Sequence, residues 1–150
     1  MAKLDVLRLV HILAGMVWVG GRIIFVALGA RLANAARDRQ LAFNETMGFV
    51  GGRIFGPAAF LVLGAGIWLV VEDPAYSFNQ TWIVLALGGV ALSVAIGIGF
   101  FGPQGKALTA ELLADDPAAA ARSRRIGQVS MLDTLILLVI VWAMVYKPGI

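Results

Sequence analysis

Residues 81–102 read TWIVLALGGVALSVAIGIGFFG, an apolar run lying within an uncharged stretch from Pro74 to Gly105. A helix rises about 1.5 Å per residue and the hydrocarbon core of a bilayer is about 30 Å thick, so about 20 such residues cross it. Working outward, three more runs of this kind appear. They are Leu9–Ala30 (LVHILAGMVWVGGRIIFVALGA), Gly48–Val71 and Ile126–Tyr146. In lipid every backbone polar group needs an internal partner, which only helices and closed barrels supply. These runs are too long and too continuous for barrel strands. The expected fold class is therefore all-α: an integral membrane four-helix up-down bundle, one domain over 1–150, with spans at about 9–30, 48–71, 81–102 and 126–146.

Composition agrees. The chain is 60% hydrophobic and 14% charged, with a mean hydropathy of +0.88. A soluble domain carries about 25% charged residues. The formal charge of +3 resides largely in residues flanking the apolar runs, which points to membrane topology and a lipid bilayer partner rather than nucleic acid. Cysteine is absent, which excludes disulfides, thiolate metal sites, iron–sulfur clusters and thiol catalysis. No phosphate-binding glycine loop with lysine, nucleophile elbow or His-Glu-x-x-His motif occurs, so no enzymatic activity is assigned. Lys3, Arg8 and Ala33-Asn34-Ala35 mimic a signal peptide, but the apolar stretch is long and is interrupted by Arg22, so a retained span is expected.

The loop after span one carries Arg31, Arg37 and Arg39, and the loop after span three carries Lys106, Arg122, Arg124 and Arg125. The loop between spans two and three has Glu72 and Asp73 and no basic residue. The positive-inside rule places the first and third loops in the cytoplasm and both termini on the outer side. Asp116-Pro117 suits a helix start, from which a helix runs into span four. Pro57 and Pro103 are expected to kink spans two and three. Gly48, Gly52 and Gly56, and Gly89, Ser93 and Gly97, recur every four residues and are expected to pack helices closely within the bundle. No internal repeat stands out.

Three charged residues lie inside spans: Arg22, Arg53 and Asp133. Each costs about 2.5–3.5 kcal/mol at a helix centre in the bilayer. Counted from the cytoplasmic ends of their spans, Arg22, Arg53 and Asp133 lie at depths of about 12, 8 and 10 Å. A shared layer follows, with Arg22 and Asp133 paired, Arg53 close by, and one positive charge in excess. It reads either as a polar clamp between helices or as an anion, carboxylate or proton-path site. His11, Gly15, Trp18 and Arg22 share one face of span one, and Asp133, Leu137, Ile140 and Met144 repeat that spacing on span four. Aligning Arg22 with Asp133 brings His11 level with Met144, a pair of candidate axial ligands for a haem.

The string LVHILAGMVWVGGRIIF, with His11, Trp18 and Gly20-Gly21, resembles the opening helix of the superfamily that contains the copper-resistance D membrane domain and the HemJ-type protoporphyrinogen oxidases. The ending AMVYKPG is similar to small four-span bacterial membrane proteins grouped with them. The resemblance implies the bacterial inner membrane, haem b held by His11, and a redox or haem-handling role, with a membrane redox partner or a homo-oligomer as candidate partners. Copper handling is also implied, with His11 as a candidate metal ligand. Gly21 is followed here by Arg22-Ile23-Ile24-Phe25, where the HemJ-type proteins have Leu-Pro-Arg-Leu. The alternative reading is ion or small-anion transport, or an accessory structural module, built on the charged layer.

Overall fold

The computed structural model describes residues 2–149. Four long helices account for nearly all of them, and no strand occurs among the described residues. They are α1 (Lys3–Leu32), α2 (Arg37–Glu72), α3 (Thr81–Leu113) and α4 (Ala118–Tyr146), each long and apolar enough to cross a membrane. All four expected spans fall inside them, and every helix extends past its apolar run. The fold is the anticipated four-helix up-down bundle. Asp116 starts α4 as its sequence suggests, with its carboxylate Oδ1 accepting the Ala118 N–H at 2.8 Å.

The chain is turned inside out relative to a soluble bundle. Large apolar side chains such as Phe60, Ile98, Leu132 and Val145 are exposed, while small ones such as Ala14, Ala58, Ala86 and Ala143 are buried. Lipid provides no hydrophobic drive for helix association, so close contact between small residues and internal polar bonds must hold the helices together. The main core joins all four helices through Ala14 and Trp18, Ala59 and Val62, Ala86 and Val90, and Leu137 and Ile140.

At one end lie the start of α1, the end of α4 and the 73–80 loop. Lys3 pairs with Glu72 at 2.6 Å, Arg8 with Asp73 at 2.7 Å, and the Lys147 ammonium donates to the Tyr76 hydroxyl at 3.0 Å. This is the termini end. The opposite, basic end carries the other two connections. There Arg122 pairs with Glu111 at 2.6 Å, and Asn44 donates to Gly105 O and to Thr109 Oγ1, both at 2.8 Å.

Packing partners change between the two ends. Toward the termini end α1 packs chiefly on α2, and α3 on α4. Toward the basic end α2 packs on α3, and α4 packs on α1 as well as on α3. The change occurs where three helices widen into π-helical segments: Met16–Gly20 in α1, Gly51–Phe55 in α2 and Gly97–Phe101 in α3. In the last two, the N–H groups of Gly56 and Gly102 reach the carbonyls of Gly51 and Gly97, five residues back. Pro57 and Pro103 follow immediately. Proline lacks the N–H of an α-helical bond and collides with the carbonyl four residues earlier. A π-segment absorbs that misfit, so the expected proline kinks take this form.

The glycine expectation needs correction. Gly48, Gly52 and Gly97 are exposed and a Cβ at any of them would meet nothing, and one at Gly56 would meet only the Gly51 carbonyl of its own helix, whereas Ser93 is buried and a Cβ at Gly89 would come within 2.7 Å of Ile140. The π-segment in α2 resets the helix phase. Its less exposed face runs through Met47 and Val50 before the segment, Phe55 at its end, and Ala58, Ala59 and Val62 after it, leaving Gly48 and Gly52 outside.

Candidate functional site

Arg22 follows the π-segment of α1 by two residues, and Asp133 lies on the inward face of α4. They meet in the interior: Arg22 Nη2 donates to Asp133 Oδ2 at 2.6 Å, with the residues only 7% and 2% exposed. The Arg22 guanidinium also sits 4.5 Å from the centre of the Phe101 ring, at the end of the π-segment of α3. On the α2 side, Phe55 ends its own π-segment and packs edge-on to Phe25, with ring centres 5.5 Å apart. A Cβ at Gly21 would come within 2.5 Å of the Phe55 ring, so only glycine admits this contact beside Arg22. Three π-segments thus converge around one buried ion pair.

The pair is half-satisfied. Asp133 Oδ1 and Arg22 Nε are buried and have no hydrogen-bond partner among the described residues. A two-pronged arginine–carboxylate pair would use both carboxylate oxygens. The neighbouring Thr134 does not help, because its hydroxyl donates to the Ser130 carbonyl at 2.8 Å. An unpaired carboxylate oxygen in the interior costs more than the average hydrogen bond contributes.

Arg53 does not join the layer. Its depth matches, but it lies in the π-segment of α2 on the exposed face, with its guanidinium 5.6 Å from the Phe49 ring centre. Depth follows from residue count, whereas the direction a side chain faces depends on helix phase, which the π-segment has altered. The expected excess of positive charge at Asp133 is therefore replaced by a one-to-one pair.

His11 is half-buried and turned toward α2, with Nδ1 2.8 Å from the Val62 carbonyl oxygen. Gly66 provides the space, since a Cβ there would come within 2.9 Å of the imidazole. If Nδ1 donates to Val62, Nε2 keeps its lone pair, the arrangement metal-ligating histidines adopt. Met144 is half-buried against the apolar clusters that include Trp82, Ile83 and Ala143. The termini-end part of α1 packs on α2, and the contact of α1 with α4 comes mainly from Gly21–Leu32. His11 alone thus fits a ligand role, and the helix packing gives a facing His11–Met144 pair no support. Among the described residues, no group of three or more His, Cys, Asp or Glu side chains converges on one point.

One short internal repeat corrects the expectation that there is none. GGRIFGP at 51–57 and GIGFFGP at 97–103 share Gly-x-x-x-Phe-Gly-Pro. Each copy is a π-segment, its terminal phenylalanine and the following proline, and both phenylalanines border the Arg22 layer. The pattern was visible, but its meaning required knowing that α2 and α3 bring Phe55 and Phe101 to the same level. Comparison with protein-family models, curated proteins and solved structures finds no match to this chain.

Proposed function

We propose that this chain is an ion-translocating membrane module in which Asp133 exchanges a proton and Arg22 is its counter-ion. One observation carries the reading: a buried carboxylate held through Oδ2 by Arg22 while Oδ1 has no partner. Ionisable groups inside a membrane are costly, and where they persist they commonly serve ion or proton pathways. A proton arriving at Oδ1 converts the carboxylate to the acid, weakens its hold on Arg22, and leaves by the same oxygen when the pair re-forms. The surrounding π-segments support this, because such segments displace backbone carbonyls from ordinary helical bonding and recur at functional sites. Purified protein in vesicles loaded with a pH-sensitive dye is the test. After an external acid step, the lumen should acidify faster than in protein-free vesicles, and Asp133→Asn should remove the difference. Equal rates with and without protein, or an undiminished rate in Asp133→Asn, would reduce the pair to a clamp between α1 and α4.

His11 supports a second reading, haem or metal binding through Nε2, favoured by the Val62 contact and the cradle at Gly66. It also fits the resemblance to haem-handling membrane proteins. Haem held there would supply one-electron chemistry. Protein purified from haem-replete cells should then show a Soret band that His11→Ala abolishes, and colourless protein refutes the reading. For orientation, we take the basic end as cytoplasmic and the membrane as the bacterial inner membrane, on the positive-inside pattern and the resemblance. Reporter fusions at Asp38 and Asp116 should read as cytoplasmic and a C-terminal fusion as external. The reverse pattern inverts the assignment.

A further inference from the structure

A groove of about 310 Å³ opens on the lipid-facing side between α3 and α4, lined by Leu85, Gly89, Leu132, Leu135, Ile136 and Val139. We propose that it holds an acyl chain of an anionic phospholipid whose phosphate is bound by Arg125. The lining is almost wholly apolar, as an acyl chain requires. Its position along α4 defines the occupant further. Arg125, Leu132, Ile136 and Val139 are spaced seven, four and three apart, which puts them on one helix face. Leu132 and Val139 then lie about 10 Å and about 21 Å beyond Arg125 along the axis. Half of the hydrocarbon core is about 15 Å thick. A lipid with its phosphate at Arg125 therefore lays its chain along the nearer part of the groove, at Leu132 and Ile136.

The polar end is suited to an anion. Arg125 is exposed, and no carboxylate pairs with it among the described residues. Its guanidinium is steadied 5.7 Å from the ring centre of Phe100 on α3. Both helices thus contribute to the groove and to the site at its basic end. A guanidinium matches phosphate in charge and in hydrogen-bond geometry, and its uncompensated positive charge favours a headgroup of net negative charge over one whose phosphate is balanced by its own cation.

Native mass spectrometry of the detergent-purified full chain tests this, with phosphatidylglycerol and phosphatidylcholine of identical chains as probes. Phosphatidylglycerol should bind in preference, and Arg125→Gln should weaken its binding about fivefold and bring it down to the level of phosphatidylcholine. Leu132→Trp, which fills the groove from an exposed position, should weaken both lipids. Thermal unfolding without lipid checks that each variant is folded, and the exposed positions of both side chains favour that outcome. Equal binding of the two lipids by the parent chain would overturn the proposal. So would a phosphatidylglycerol preference that survives Arg125→Gln, or lipid-free dimers that Leu132→Trp disrupts.

Discussion

Arg22 and Asp133 are the residues whose removal should be felt most. Both are desolvated, and each is tolerable in the interior because of the other. Asp133→Ala strands the guanidinium against Phe101 and should cost about 3–5 kcal/mol of unfolding free energy in detergent. Replacing both, with Arg22→Leu added, should cost less than Asp133→Ala alone. A double-mutant cycle by reversible unfolding measures the coupling, and strictly additive effects would show that the pair does not act as one. His11 is a smaller case. Its single hydrogen bond to Val62 bridges α1 and α2, so His11→Ala should cost about 1 kcal/mol in the same unfolding experiment. A much larger loss would point to a ligand held there.

At the scale of elements, the π-segments organise the centre of the bundle. Each adds backbone without adding a regular turn, so the face of the helix before it is rotated relative to the face after it. This lets α1 leave α2 for α4, and lets α2 leave α1 for α3. The contact of Phe55 with Gly21 joins two of these segments, and α1 approaches closely there because Gly21 has no side chain. Gly21→Val should therefore overpack the layer and lose about 1–3 kcal/mol. Phe55→Ala in the same chain should recover part of the loss. If Gly21→Val unfolds no more easily than the parent, the segments are not in contact.

The whole molecule is a bundle closed by ion pairs and hydrogen bonds at both ends. The termini end uses ion pairs and the Lys147–Tyr76 bond; the basic end uses Arg122–Glu111 and the Asn44 bridge to α3. The chain has no cysteine, so introduced pairs report without background. Lys3→Cys with Glu72→Cys, and Asn44→Cys with Thr109→Cys, should each form an intramolecular link with a short bismaleimide, seen as a mobility shift on gels. Lys3→Cys with Thr109→Cys, at opposite ends, should not. A link in that last pair would contradict the up-down arrangement.

Length and polarity along the chain were sufficient for the fold class. Four apolar runs, each near the thickness of a bilayer, leave helices as the one open structure that satisfies the backbone. The depth of Arg22 and Asp133 was equally legible, because rise per residue is nearly constant and the cost of an unpaired charge in lipid makes a partner at the same depth necessary. Direction was not legible. Arg53 has the right depth and faces outward; His11 has the right register with Met144 and turns to Val62; Gly48 and Gly52 have the right spacing and touch nothing. Which way a side chain faces depends on helix phase, and three π-segments shift that phase in mid-membrane. Those shifts are set by how proline, glycine and phenylalanine on neighbouring helices fit against one another, and only the tertiary structure decides that fit.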